Sequence, residues 1–326
     1  MRTTAALIAL TAATFLGAAA ARADTLTVQE VNEAEFPAKG GKGINPVTLK
    51  MQVLLDRARF SPGVIDGRGG ENVEKALRAF QEENGLKPDG KLDKESWAKL
   101  TAISSEPVMA EHTITEEDVK GPFTKEIPDK LEDKAGLDRL AYTGPREALA
   151  ERFHMDEDSL AALNPGKDFG KAGTVIAVVN LGEDRAKRGK AARIEVDKDR
   201  RTLSALDKDG KLLAFYPASI GSEEKPAPSG THKVTAVAQN PTWTYNPDFK
   251  FKGVDAKEAV KIAAGPNSPV GSTWIDLSVP TYGIHGTPDP DKVSKAYSHG
   301  CIRLTNWDVA ELARMVERGT PVEFKE

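Results

Sequence analysis

The chain has 326 residues, 39% hydrophobic and 29% charged, enough for two or three cores and too polar for a membrane protein outside its first segment. Lys and Arg total 45 against 49 Asp and Glu, a formal net charge of -4 without a polybasic block, so a nucleic acid or an anionic membrane surface meets no electrostatic footprint. The 28 Gly and 20 Pro fall well below the load of low-complexity chains, which argues against long disorder.

Residues 1–23 read as an export signal. Arg2 supplies the positive start, Ala5 to Ala21 form a soft apolar run, and Ala21-Arg22-Ala23 is a small-residue cleavage pattern. The expected product is cleaved after Ala23 and lies free in the periplasm with no membrane span. An uncleaved anchor is the competing reading, against which the run is short and soft. In an oxidising compartment the single cysteine, Cys301, has no second thiol in the chain to pair with. Such a thiol is either a buried filler or a working nucleophile.

From residue 45 to 103, helical stretches Leu49 to Arg59, Asn72 to Asn84 and Lys94 to Leu100 alternate with the turns Asp66-Gly67 and Pro88-Asp89-Gly90. Val73, Ala76, Leu77 and Phe80 share one face of a 3.6-period helix. The string Ala76-Leu77-Arg78-Ala79-Phe80-Gln81, followed by Asn84-Gly85-Leu86, Asp89-Gly90 and Trp97 to Leu100, resembles a small all-α peptidoglycan-binding domain. A helical bundle without a ligand is the plain alternative. Residues 104–140, rich in Glu, Asp, Lys and Pro, read as a linker. Residues 141–182 carry two helices, Arg146 to Phe153 and Asp156 to Leu163, an Asn-Pro-Gly turn and a β-rich run from Gly173 to Val179. This order resembles an α+β LysM-like glycan-binding module. It departs from the family where Gly144-Pro145-Arg146 replaces the usual Gly-Asp-Thr, since Pro removes a backbone donor. A sugar binder and a degenerate spacer both remain open.

Residues 191–325 change to short strands: Ala192 to Val196, Thr202 to Ala205, Leu212 to Ile220, Lys233 to Ala238, Ser272 to Leu277, Tyr282 to Ile284 and Val322 to Phe324. One helix, Trp307 to Val316, interrupts them, with Thr305 and Asp308 placed as a capping box and Gly319 as a stop. From Lys190 onward the charges nearly cancel, 19 basic against 18 acidic, so the excess acid sits in the front half.

Cys301 stands in Tyr297-Ser298-His299-Gly300-Cys301-Ile302-Arg303, and His285 in Tyr282-Gly283-Ile284-His285-Gly286-Thr287. A thiol is a strong nucleophile at neutral pH only beside a base or a positive charge. His285 ends one expected strand and Cys301 begins another, and paired strand ends can bring the two side chains together. Gly283, Gly286 and Gly300 leave room for a substrate backbone. The polar neighbours argue against a buried filler. Zinc held by His285, His299 and Cys301 is the metal alternative, and no fourth ligand is evident nearby. The Gln and Cys-Trp context of papain-like proteases is absent around Cys301. His232, before an expected strand, reads as a surface or turn residue, His112 and His154 have no chemical partner in sequence, and Asn306 reads as a helix-positioning residue.

The ordered string of His285-Gly286 and Ser298-His299-Gly300-Cys301-Ile302-Arg303, with Gly265 to Gly271 and Trp274 to Ser278 upstream, resembles the YkuD-type L,D-transpeptidase catalytic domain over most of residues 191–325. The resemblance implies a multidomain protein whose mainly β catalytic domain, sandwich- or barrel-like with one helix, follows the two smaller modules. It implies a cysteine acyltransferase with no cofactor and no metal. Cys301 matches the nucleophile, His285 the base, and the Gly286 carbonyl the group that orients its ring. His299 and Gly300 would shape the oxyanion site, with the Cys301 N–H as a donor. Arg303 would act by charge toward a substrate carboxylate or the thiolate, and Ser298, Tyr282 and Trp243 are substrate-contact candidates. Trp243 with Tyr245 is equally well explained as a lid or as local packing.

The implied reaction is thioester formation with a peptidoglycan tetrapeptide stem, release of D-Ala, and transfer to an amine of another stem. Water, a free D-amino acid or a lipoprotein lysine are alternative acceptors. A non-catalytic wall-binding protein is the alternative of another class, and intact His285 and Cys301 argue against it. The front modules are expected to tether the enzyme to its polymer and raise the effective substrate concentration.

Overall fold

The computed structural model describes residues 26–37, 43–182, 189–222, 225–249, 254–296 and 300–326. The expected signal segment and the site candidates Ser298 and His299 lie outside the described residues. No described helix is long and apolar enough to cross a membrane.

The front half opens with α1 (Val28–Asn32), α2 (Pro46–Arg57), α3 (Glu71–Glu83) and α4 (Lys94–Thr101). Pro46 sits at the first position of α2, where its missing donor does no harm, and Asn45 Oδ1 accepts the N–H groups of Val47 and Thr48 at 3.0 and 3.1 Å. On α3 the apolar face Val73, Ala76, Leu77 and Phe80 is buried. The neighbouring Gln81 is also fully buried and pins the next turn. Its Oε1 accepts the Gly90 N–H at 2.8 Å and its Nε2 donates to Lys91 O at 2.9 Å. Gly90 has φ +72, and a Cβ there would lie 2.7 Å from Glu74 O, so the Asp-Gly turn tolerates no side chain.

Residues 104–140 are not a linker. They hold β1 (Met109–Thr113), α5 (Glu116–Lys120) and α6 (Leu131–Lys134), and are followed by α7 (Pro145–Arg152), α8 (Glu157–Leu163) and β2 (Val175–Val179). β1 pairs antiparallel with β2, from Met109 opposite Val179 to Thr113 opposite Val175. The partner lies beyond four helices, and the strand itself reads Met-Ala-Glu-His-Thr, so neither pairing nor alternation shows locally. Met109, Ile114, Leu149, Leu160 and Ile176 share a core with Leu49, Leu54, Phe80 and Leu100. The two expected front modules are thus one packed unit.

The rear half contains β3 (Arg193–Asp197), β4 (Thr202–Leu206), β5 (Leu212–Pro217), β6 (Ser219–Ile220), β7 (Gly230–Gln239), β8 (Trp243–Tyr245), β9 (Val260–Ile262), β10 (Thr273–Leu277), β11 (Gly283–His285), β12 (Ile302–Arg303), α9 (Asn306–Met315) and β13 (Pro321–Lys325). Nine of these strands form one sheet in the order β5-β4-β3-β13-β7-β10-β11-β12-β6, and β8 pairs separately with β9. Val196 and Leu203 near one edge and Ile284 and Ile302 near the other pack in a single core with Val309, Leu312 and Met315 of α9. Both flanks of the sheet therefore wrap the same helix, which makes the domain mainly β and barrel-like.

The halves are joined by more than chain. Ser61 N–H donates to Phe215 O at 2.9 Å and Phe215 N–H to Arg59 O at 2.8 Å, and the Phe215 ring enters the front core. Further along, Leu140 N–H donates to Ala264 O and Asn267 N–H to Leu140 O, each at 2.9 Å. Gly265 is required there, since a Cβ would lie 2.0 Å from Leu140 O.

Candidate active site

Three neighbouring strands position the chemistry. β10 pairs with β11 so that Trp274 faces His285 and Asp276 faces Gly283, and β11 runs parallel to β12 with Ile284 opposite Ile302 and His285 opposite Arg303. Ile275, Ile284 and Ile302 are fully buried against α9. By strand alternation, Trp274, His285, Cys301 and Arg303 lie on the other face, where the cavity is. The same alternation explains Gly283: a Cβ there would stand 2.3 Å from the Trp274 ring. That ring stacks on His285 with centroids 5.4 Å apart and planes 13° apart. Asp276 fixes the Trp274 indole through Nε1 at 3.3 Å and is itself held by the Thr235 hydroxyl at 2.5 Å.

His285 Nδ1 lies 2.7 Å from Gly286 O. A carbonyl only accepts, so Nδ1 carries the proton and Nε2 keeps the basic lone pair. Burial drives the imidazole pKa down to about 3, helped by the Arg303 charge and opposed by the Gly286 hydrogen bond. Burial also pushes the Cys301 thiol up, against the Gly283 N–H and the charges of Lys225 and Arg303. The Cys301 Sγ lies 3.7 Å from Thr281 O. The resting pair is therefore a neutral thiol and a neutral imidazole.

Asn306, at the start of α9, holds the loop behind His285. Its Oδ1 accepts the Ser272 N–H at 3.0 Å and lies so close to the Gly271 and Gly286 backbones that a Cβ on either would be 2.1 Å away. Its Nδ2 donates to Pro266 O and to both carboxyl oxygens of Glu151, each at 3.2 Å. Asn306 thus shapes the loop as well as opening the helix.

A cavity of about 390 Å3 is lined by Cys301, His285, Arg303, Trp243, Trp274 and Lys225. Asp129, Leu131 and Lys134, in and beside α6 of the front half, also line it. Glu132 anchors that segment by accepting the Asp255 N–H at 3.0 Å. Arg303 Nε is buried with no hydrogen-bond partner among the described residues, a donor left for an incoming group. Among the described residues no group of three His, Cys, Asp or Glu could hold a metal ion.

Of the residues expected from sequence, Cys301, His285, Arg303 and Trp243 meet in this cavity, and Gly286 bears on it through its backbone. At Gly300, φ is +99 and a Cβ would meet the Lys225 side chain at 3.0 Å. Tyr282 is half-buried and does not line the cavity. Its hydroxyl donates to Pro226 O at 3.1 Å, and Lys225 Nζ lies 4.9 Å over its ring. Tyr245 is buried as packing, whereas its neighbour Trp243 faces the cavity. His112 and His154 do have partners: His112 Nε2 is 2.9 Å from Asp118, while His154 is 3.3 Å from Asp56 and stacks on Trp307. Sequence reasoning missed Lys225, Lys134 and the role of Trp274. Only Trp274 left a local signal, its place between Thr273 and Ile275 on the strand face opposite the apolar one.

Residues 191–324 match the family model of the L,D-transpeptidase catalytic domain, and residues 46–100 match that of a "Putative peptidoglycan binding domain". Over 180 residues the chain is 31% identical to the "Putative L,D-transpeptidase YkuD" of Bacillus licheniformis, covering 55% of this chain and 92% of that protein. The chain belongs to the L,D-transpeptidase family. It is also 29% identical over 189 residues to the "Probable L,D-transpeptidase YbiS" of Escherichia coli, covering 56% of this chain and 60% of that one. The solved catalytic domain of an Enterococcus faecium L,D-transpeptidase shares 27% identity, covering 41% of this chain and 95% of that one, with a TM-score of 0.32. In this L,D-transpeptidase the cavity wall at 129–134 and the Asn306 partner Glu151 both come from outside the two matched stretches.

Proposed function

We propose that the chain is an exported enzyme that remodels peptidoglycan through a Cys301 thioester. The observation that carries this is the His285 Nδ1–Gly286 O hydrogen bond: with Nδ1–H committed to the carbonyl, the Nε2 lone pair is the proton acceptor on the face shared with Cys301. As the stem peptide's carbonyl arrives, Sγ attacks its carbon while Nε2 takes the thiol proton. The oxyanion forms beside Gly300, with the Cys301 N–H as a donor and His299 as the flanking group. Collapse of the tetrahedral intermediate breaks the peptide bond, and imidazolium returns its proton to the departing amine of D-Ala. An acceptor amine of a second stem then attacks the thioester and gives a proton to His285 Nε2, which returns it to Sγ as the C–S bond breaks, leaving the new amide and the Cys301 thiol. Arg303, with its buried Nε, suits a donor carboxylate, and Trp243 on the cavity wall would border the peptide; Tyr282 and Ser298 are further contact candidates by their place in the sequence string.

The 46–100 helices support a wall contact. The β1, α7, α8, β2 unit, two helices packed with an antiparallel strand pair, supports a LysM-like reading with glycan as its ligand. Cys301→Ala is expected to abolish thioester formation and D-Ala release on a disaccharide tetrapeptide while binding to sacculi persists. Turnover by that variant would sink the mechanism. Mass spectrometry of the wild-type products separates a stem amine from water, a D-amino acid or a lipoprotein lysine as acceptor.

A further inference from the structure

We propose that Glu151, on α7 of the front half, is a positioning residue for His285, acting through Asn306 and Gly286. The proposal rests on the acyl-transfer reading above and extends the reacting assembly beyond the catalytic domain. Glu151 is 8% exposed and Asn306 is 4% exposed, so neither finds water as a substitute partner. Both Glu151 oxygens lie 3.2 Å from Asn306 Nδ2, and Pro266 O takes the same amide at 3.2 Å. An asparagine amide is nearly symmetric in shape, and its two ends are told apart only by what they meet. Here carbonyl and carboxyl acceptors face the NH2 end, and the Ser272 N–H faces the oxygen at 3.0 Å.

That orientation has a consequence one residue from the base. Asn306 Oδ1 packs against the Gly271 and Gly286 backbones, where a Cβ on either would lie 2.1 Å away, so a turn or shift of the amide displaces the Gly286 residue it packs on. Its carbonyl is the group that takes the His285 Nδ1–H at 2.7 Å. Removing the Glu151 acceptor strands a buried N–H of Asn306, so the amide must turn or shift to recover a partner. The Gly286 carbonyl then moves, and the imidazole with it. Burial raises the Glu151 carboxyl to about 8, so at neutral pH the group is largely an uncharged acid, of the shape and charge of glutamine.

The test uses the full chain with Glu151→Ala and Glu151→Gln and follows D-Ala release from a tetrapeptide donor. Glu151→Ala is expected to lower kcat by about 10- to 100-fold with KM within about two-fold, as for a group that orients the base rather than binds substrate. Glu151→Gln, which keeps an acceptor for Asn306, is expected to restore most of the rate. The downfield proton resonance of the His285 Nδ1–H, read without substrate, should shift or vanish in Glu151→Ala and persist in Glu151→Gln. Wild-type kcat and resonance in Glu151→Ala, no rescue by Glu151→Gln, or a rate loss matched by loss of folded protein on melting would each overturn the proposal. If the wild type forms no thioester with the donor, the acyl-transfer reading fails, and the resonance still decides whether Glu151 positions the ring.

Discussion

At the scale of single residues, His285 and Cys301 are both held uncharged, the imidazole at about 3 and the thiol above its ordinary value, with burial the largest cause for each. Alkylation of Cys301 by iodoacetamide should therefore be slow at neutral pH and climb as pH rises past the ordinary thiol value. A plateau already reached at mildly acid pH would show a preformed thiolate instead. The same burial links folding to pH. His285 has a folded value below its ordinary 6.5, so the unfolded chain takes the proton first, and this group's contribution is present above 6.5 and lost as pH falls toward about 3. Glu151 has the opposite sign. Its folded value of about 8 exceeds the ordinary 4.5, so its contribution is complete below 4.5 and lost as pH rises through about 8. The charged group facing it is Glu147, with Tyr142 and Asn306 supplying hydrogen bonds. Melting temperatures of Glu151→Gln should accordingly decline less between about pH 5 and 9 than those of the wild type. An unchanged slope would mean that the carboxyl is not protonated in the fold. Sterics set a third expectation: Gly283→Ala places a methyl 2.3 Å from the Trp274 ring and should destabilise by about 1–3 kcal/mol, read as a lower melting temperature.

Elements with their own periodicity are legible in the amino-acid order alone. Val73, Ala76, Leu77 and Phe80 mark α3, and the strand at Thr273–Leu277 shows in Ile275 and Leu277 alternating with Trp274 and Asp276. Two-residue β12 carries no period at all; it exists because Ile302 pairs with Ile284 on one side and Ile220 on the other across the sheet. The catalytic string is legible because its residue types are chemically unusual together, whereas Glu151 and Lys134 are ordinary in sequence and acquire meaning only by where their elements dock. α6 is the clearest case. Its segment has the composition of a linker, yet it lines the cavity that Cys301 also lines, with Lys134 half-buried and without an ion pair among the described residues. A lysine so placed suits a carboxylate of the bound peptide. Lys134→Glu is expected to raise KM for an anionic tetrapeptide about tenfold at low salt with kcat little changed, and to do less against a donor whose carboxylates are amidated. Equal KM values for the wild type and the variant on the unmodified donor would remove α6 from the peptide site.

For the whole molecule, the tether expected from sequence and the docked assembly seen in structure lead to different behaviour on heating. A tether leaves the catalytic half self-sufficient. In the structure, Phe215 of β5 fills the front core, Ser61 Oγ donates to the buried Asp308 of α9 at 3.0 Å, and His154 stacks on Trp307 at 5.0 Å. Asp308 is held well above its ordinary value, chiefly by burial, so it has the Ser61 hydroxyl as a partner at a place where a bare carboxylate would be expensive. Leu140 adds a backbone bridge to Ala264 and Asn267. With these contacts the halves should unfold together. Leu77→Ala, in the front core and 1% exposed, is expected to cost about 2–5 kcal/mol. If the halves are one cooperative unit, that loss lowers the temperature at which D-Ala release from a small soluble donor disappears as much as it lowers the melting of the helices. A tethered enzyme would instead keep its turnover beyond the point where the helical signal has gone, because nothing at His285 would depend on α7. Following turnover and far-ultraviolet ellipticity on one heated sample distinguishes the two, and coincident curves are the outcome that the Glu151, Ser61 and Leu140 contacts require.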